Sequence, residues 1–281
     1  MPEGPEIRRA ADRLAKILVG RPLERVTFAF SHLKHYESEL TAAQVLDVRT
    51  RGKAMLIHFD CGKVIYAHNQ LYGRWYLCKK GRQPQTRRQL RLALETATDS
   101  ALLFSASDIT VLADHGLDEH PFLARAGPDL LTDDPSAKDI ADRLSTSTFR
   151  RRRLAMLLLD QSFVAGLGNY LRSEVLFAAG LHPELRGVDL SRPEALKLAR
   201  AIRRLTQRSY QTGGITNDLK TAARLKARGL PRRAYRHYVF SRAGEPCFAC
   251  GECIVRENHA GRRLYRCPHC QPASGRNRNG S

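Results

Sequence analysis

Four cysteines near the C-terminus have the spacing of a metal site. Cys247 and Cys250 make one C-x2-C pair and Cys267 and Cys270 another, with sixteen residues between the pairs. Four thiolates so arranged suit zinc and close a tetrahedral shell, leaving no position for water. The metal implied is one structural Zn2+. Cys253 lies at ligand spacing from Cys250, but Gly251 suits the tight turn of a knuckle at Cys250. The ligand set is therefore read as Cys247, Cys250, Cys267 and Cys270, with His269 facing solvent. Cys61 and Cys78 fall in β-rich segments, where packing is their expected role.

Two further stretches have chemical potential. In "DQSFVAGLGNYLRSEVLFAAG" an apolar helix is expected to end near Phe163, with a second helix beginning at Asn169. Gly166 and Gly168 would let backbone N–H groups approach a phosphate, with the next helix aimed at it. Asn169 can cap that helix or donate to the phosphate. In "HNQLYGRW" the residues His68 to Tyr72 lie between two strands and read as a hairpin tip. A tip exposing Leu and Tyr together suggests a wedge, in which Gln70, Leu71 and Tyr72 fill the hole left by an extruded base. Lys53 in "TRGKAML" and the run Arg150 to Arg153 are basic positions of no distinct chemistry by themselves.

These residues need elements to hold them. "PEIRRAADRLAKILVG" has apolar residues at helical spacing and a Gly stop. Eight short β-rich runs follow, from "RVTFAF" to "ITVLAD", punctuated by turn residues, and predict an antiparallel sandwich or barrel over about residues 21–120. Helical patterns occupy about 130–210, and the Gly-, Lys- and Arg-rich stretch 211–238 reads as a mobile loop. Ile254, Val255, Leu264 and Tyr265 fit two short strands of a zinc ribbon. The expected fold is α+β and multidomain: an N-terminal helix and antiparallel β-sandwich (1–125), a helical domain (126–238), a zinc finger (239–271) and a disordered tail (272–281).

The charge narrows the partners. Against 47 Lys+Arg stand 28 Asp+Glu, a net +19, which points to a polyanion, above all nucleic acid. No apolar run reaches the roughly 18 residues of a spanning helix, and no secretory leader is evident. A cytoplasmic protein is expected, associated with the nucleoid when on DNA, its cysteines reduced or on metal.

Taken in order, "MPEGPE", "RGK" at 51–53, "HNQLYG" at 68–73, "GLGN" at 166–169 and the terminal cysteines resemble the bacterial formamidopyrimidine-DNA glycosylase/endonuclease VIII family of base-excision repair enzymes. Within it, "QLY" and "HPFLARAGPD" look like endonuclease VIII. The resemblance implies that 1–125 is the catalytic domain and that 126–238 is a DNA-binding domain with a helix–two-turn–helix motif. The resemblance implies that Met1 is removed and that the amine of Pro2 is the nucleophile. An α-amino group, with a pKa of about 7.7–8.0, is substantially unprotonated at neutral pH. It implies that Glu3 protonates the sugar ring oxygen and that Lys53 is the second acid, assigned to β-elimination. Glu6, four residues after Pro2, could orient the amine or its water. Arg262, with Arg263 adjacent and the register open by one, would reach phosphate and assist δ-elimination. Gln70, Arg125 and Asn169 match DNA-contacting positions.

The expected activity is that of a bifunctional DNA glycosylase and abasic-site lyase. It would act as a monomer on damaged double-stranded DNA bound between the domains, with oxidised pyrimidines preferred. The segment 211–238 departs from a minimal endonuclease VIII connection and leaves oxidised purines, such as 8-oxoguanine, as the alternative. A non-catalytic, zinc-dependent DNA-binding protein explains charge and cysteines equally well, but gives Pro2, Glu3 and Lys53 no reason. A basic RNA-associated zinc protein is weaker still.

Overall fold

The structure, a computed structural model, describes residues 2–273. Met1 and most of the expected tail, 274–281, lie outside the described residues. The chain divides after Ala126 into two compact units.

The first unit begins with helix α1 (Gly4–Leu18). A capping box closes its start: the Glu3 side chain accepts from the backbone of Glu6, and the Glu6 carboxylate accepts from the N–H of Glu3 at 3.1 Å. Pro5 in the first turn removes a donor that would have no intrahelical acceptor. Ile7, Ala11, Leu14 and Leu18 form the buried stripe, and the helix packs on β2 and β3.

Eight strands follow: β1 (Leu23–Phe28), β2 (Val45–Arg51), β3 (Ala54–Phe59), β4 (Lys63–His68), β5 (Arg74–Lys79), β6 (Leu90–Thr96), β7 (Asp99–Phe104) and β8 (Asp108–Ala113). They form two antiparallel sheets, ordered β1-β6-β7-β5 and β2-β3-β4-β8. Val26, Phe28, Ile57, Ile65, Leu92 and Leu103, drawn from both sheets, share one core with α1, which makes this the expected helix and β-sandwich. The outer face of β3 and β4 is also covered, because Leu56, Val64 and Tyr66 pack under Leu117, Phe122 and Leu123. Between β1 and β2 a 3-10 turn (Ser31–Tyr36) and helix α2 (Glu37–Ala42) intervene.

The run His68 to Tyr72 is not a hairpin. The strands it joins, β4 and β5, belong to different sheets, so it is a corner that carries the chain from one sheet to the other. Strand pairing is set by distant partners, which local sequence does not display.

The second unit contains α3 (Ala137–Leu144), α4 (Leu154–Leu157), α5 (Asn169–Ala179) and α6 (Arg192–Thr212). The helix expected to run to Phe163 stops at Leu157. Beyond it, Asp160 draws the chain into a turn by accepting from both the N–H and the hydroxyl of Ser162, at 2.8 and 2.7 Å. The expected mobile loop at 211–238 instead holds α7 (Leu219–Ala227) and α8 (Arg232–Tyr235). Asp218 caps α7 by accepting from the N–H of Thr221, and Thr216, Asn217 and His237 are buried. Strands β9 (Val255–His259) and β10 (Arg262–Arg266) form the C-terminal hairpin, whose Leu264 sits in the helical core.

Candidate active site and nucleic-acid interface

A pocket of about 350 Å³ opens beside the start of α1. Pro2 and Glu6 line one side; Asn69, Leu71, Tyr72 and Gly73 of the corner line another, with Arg13 and Arg88 at its edges. Pro2 is half-buried, whereas Glu3 is 1% exposed and faces away from solvent. The fold thus brings the N-terminal imino acid and the wedge residues, some seventy positions apart in sequence, to one cavity. The carboxylate of Glu6 is committed to the helix cap as well as facing that cavity.

The corner is held by its backbone. The N–H of Gly73 donates to the carbonyl of Asn69 at 2.7 Å, and a Cβ on Gly73 would lie 2.5 Å from that oxygen, so only glycine fits. Gln70 has φ +47°, and its side-chain oxygen accepts from Ser107 Oγ at 2.6 Å. The Arg88 guanidinium donates to the carbonyl of Tyr72. Leu71 and Tyr72 are left 58% and 66% exposed.

Lys53 lies in the two-residue turn joining β2 and β3, where Gly52, at φ +60°, supplies the positive φ such a turn needs. Lys53 is buried, and its charge is felt at His68 on β4. Burial holds the His68 imidazole below its ordinary pKa; Lys53 adds to this and Asp108 opposes it. Arg125 is exposed at the end of the first unit, its Nε donating to the carbonyl of Pro121 at 2.9 Å.

In the second unit the glycine turn is stapled by Gln161, which donates to the carbonyls of Leu159 and Leu167 and accepts from the N–H of Gly166. Gly166 has φ +104° and Gly168 is the N-cap of α5. Asn169 does not cap this helix. Its amide donates to the carbonyl of Arg263 at 2.7 Å, and its oxygen accepts from Arg172, tying the turn to β10. Arg262 and Arg263 are both exposed on that strand.

Sequence reasoning passed over Glu174. Fully buried, it accepts from the backbone N–H groups of Tyr238, Val239 and Phe240 and from the Thr216 hydroxyl. Burial pushes its pKa up while those donors pull it back. A glutamate within the apolar helix "NYLRSEVLFAAG" was the available signal; its partners lie some sixty positions away.

The sulfurs of Cys247, Cys250, Cys267 and Cys270 all lie within 4.8 Å of one another. The separations Cys247–Cys270 (3.9 Å), Cys250–Cys267 (3.5 Å) and Cys250–Cys270 (3.5 Å) are close to the roughly 3.8 Å edge of a tetrahedron with zinc–sulfur bonds of about 2.3 Å. Cys253 is outside the group, its Sγ on the carbonyl of Gly244 at 3.4 Å, and His269 is exposed. The N–H of Glu252 draws the Cys250 thiol down to about 7, whereas burial and the neighbouring sulfurs push Cys270 up. Four thiolates this close repel, and a dication at their centre would relieve that repulsion. The donor set fits zinc.

Sandwich, helical turn and cysteine cluster together define a class of DNA-processing enzyme, and the comparisons specify it. Residues 1–107 match the formamidopyrimidine-DNA glycosylase N-terminal domain, and residues 126–221 match the formamidopyrimidine-DNA glycosylase H2TH domain. Proteins named endonuclease 8 from Pectobacterium atrosepticum and Escherichia coli are 45% and 46% identical, over 96% of this chain and all of theirs. Formamidopyrimidine-DNA glycosylase from Lactococcus lactis, solved with abasic-site DNA, superimposes with a TM-score of 0.79 at 20% identity, over 96% of this chain and all of that one. The same enzyme with an oxidised-pyrimidine DNA gives 0.80 at 21%, over 97% of this chain and all of that one. The chain belongs to the formamidopyrimidine-DNA glycosylase/endonuclease VIII family, and it is a base-excision repair DNA glycosylase with abasic-site lyase activity.

Proposed function

We propose that this enzyme removes oxidised pyrimidines from double-stranded DNA through an imine formed by Pro2, after loss of Met1. The observation that carries the reading is the pocket shared by Pro2 and the exposed Leu71–Tyr72 corner. In this scheme the Pro2 nitrogen bonds to sugar C1′ and the bond to the base breaks, the base leaving with the electron pair and taking up a proton. Glu3 gives a proton to the ring oxygen, and the ring opens to an iminium. That cation accepts electrons as C2′ loses its proton and the 3′ phosphate departs, with Lys53 as the acid. Arg262 assists the second elimination. Gln70, Leu71 and Tyr72 occupy the vacated stack, while Arg125 and Asn169 serve the backbone, Asn169 through the strand it fixes.

Cys247, Cys250, Cys267 and Cys270 would hold one zinc ion, which supplies rigidity to the finger and no chemistry. We assign 126–238 to DNA binding and 239–271 to the finger, in a monomer acting in the cytoplasm on the nucleoid. Among the described residues no helix is long and apolar enough to cross a membrane.

The pyrimidine preference rests on "HNQLYG" and "HPFLARAGPD" and on the endonuclease 8 relatives. A saturated pyrimidine is non-planar and stacks poorly, so its extrusion costs less. The purine reading is favoured by the helical segment 211–238, long enough to cover a larger base. Borohydride should trap a covalent adduct at the N-terminal peptide, and single-turnover excision should be faster for thymine glycol than for 8-oxoguanine opposite cytosine. An adduct at Lys53, with full lyase activity in Pro2→Gly, would overturn the nucleophile. Faster 8-oxoguanine removal would overturn the preference. An intact Met1 with no trapped adduct would favour a non-catalytic binding protein.

A further inference from the structure

Away from the groups named above, the second unit has a cavity of about 580 Å³ between α6 and the segment that precedes α3. Its volume falls within the roughly 300–1,000 Å³ of ligand pockets. Arg200, Arg203 and Arg204 enter it from α6, at positions i, i+3 and i+4 that share one helix face. Like charges at that spacing repel, and an opposing group relieves this in part: Asp134 accepts from Arg203 at 2.8 Å and is itself 71% exposed. The Nε of Arg203 is buried and meets no acceptor among the described residues. Leu130 and the half-buried Leu131 supply an apolar floor.

The floor is preformed. Asp129, buried, accepts from the N–H groups of Leu131 and Thr132 at 2.7 and 2.9 Å, and its own N–H donates to Asp133 at 2.9 Å. This closed turn fixes the two leucines opposite the arginines.

We propose that this cavity docks an acidic peptide segment of a partner protein, carboxylates on Arg200 and Arg204 and one apolar side chain over Leu130 and Leu131. Charge complementarity selects the acidic partner. The leucine floor selects peptide over DNA, since phosphates gain nothing from an apolar surface. The inference does not depend on the base preference or on the roles assigned to Pro2 and the corner.

The probe is a fluorescein-labelled synthetic peptide, Asp-Asp-Asp-Asp-Leu-Phe, titrated with the full-length enzyme and read by anisotropy. Micromolar binding is expected, at least tenfold weaker when Leu-Phe is replaced by Ala-Ala. Arg200→Glu with Arg204→Glu should weaken it at least tenfold, while the helical circular-dichroism transition in urea keeps its wild-type midpoint, which certifies the fold. Gln207→Ala, at the edge of the cavity, should weaken it by a few fold at most. Equal affinity for the Ala-Ala peptide would reduce the cavity to a charged surface and overturn the proposal. So would a double variant that loses affinity for undamaged duplex but not for the peptide.

Discussion

At the corner between β4 and β5 the chain turns Leu71 and Tyr72 outward, 58% and 66% exposed, whereas at Glu174 it turns a carboxylate inward until none of it reaches solvent. The two regions break opposite rules of burial. The corner keeps its shape through a few backbone contacts and leaves its apolar side chains more than half exposed, so the rest of their burial is reserved for something that is not protein. Glu174 has every acceptor position answered from within the unit, and it holds the 238–240 segment that leads into the cysteine hairpin. Its contribution is to rigidity. Changes at the corner should therefore alter catalysis without altering stability, and changes at Glu174 the reverse.

The largest effect is expected at Glu174. Replacing it with Ala leaves three backbone N–H groups without their acceptor, that of Val239 buried and those of Tyr238 and Phe240 partly so. Each such donor costs about 1–3 kcal/mol, which gives a loss on the order of 4 kcal/mol. The chain's single tryptophan, Trp75, is in the sandwich and separates the two units optically. In urea, the helical circular-dichroism transition of Glu174→Ala should move to lower concentration while Trp75 fluorescence keeps its midpoint. An equal shift in both signals would show that the network does not act locally.

Next comes the cysteine cluster. Cys267→Ser should abolish zinc content, measured by plasma emission, and lower duplex affinity at least tenfold, with the sandwich still folded by Trp75 fluorescence. Cys253→Ser should keep full metal. Metal loss in the Cys253 variant would redraw the ligand set, and unchanged duplex affinity in zinc-free Cys267→Ser would remove the finger from DNA binding.

These sites were unequally legible. The eight sandwich strands could be read because each is a run of β-formers between turn residues, a local signal. Asp218 followed by "LKTAARLK" carried a helix start that the glycines and charges around it obscured, so 211–238 was expected as a loop. The corner was misread as a hairpin because sheet membership depends on β7 and β8, far along the chain. The cysteines declared themselves by spacing. The convergence of Pro2 with Tyr72 had no signal in pattern or periodicity and entered only through resemblance; Glu174 was missed because a buried carboxylate is recognised by its donors, and those are non-local.

A third test addresses acid. His237, buried beside Thr216 at 2.8 Å, is held neutral: burial lowers its pKa to about 3, with Arg236 and Arg232 adding to this. The Thr216 hydroxyl donates to Glu174, so the proton on the other side of that oxygen comes from His237 Nδ1. The unfolded chain binds a proton at about pH 6.5 that the folded one refuses until about pH 3. Stability of the second unit should therefore fall with pH between those values, by about 1.4 kcal/mol per unit from this group alone. His237→Gln, which can still donate to Thr216, should flatten that slope by the same amount. A slope unchanged in the variant would assign the acid sensitivity to other groups.

The smallest effect on stability, and the sharpest on function, is expected at Leu71. Its side chain is 58% exposed, so Leu71→Ala removes little buried area and should shift the unfolding free energy by less than about 0.5 kcal/mol. In the complex the same side chain fills the space an extruded base vacates, and unstacking that base costs a few kcal/mol that the wedge offsets in part. Excision of a paired thymine glycol should slow about tenfold, equivalent to about 1.4 kcal/mol on the barrier. A preformed abasic site has no base to extrude, so its cleavage should change less than threefold. Single-turnover rates on the two duplexes, at one salt concentration, measure the difference directly. Equal slowing on both, with the unfolding midpoint unmoved, would mean that Leu71 grips the DNA rather than replacing the base, and the contrast with Glu174 would then lie between two binding elements instead of between a wedge and a strut.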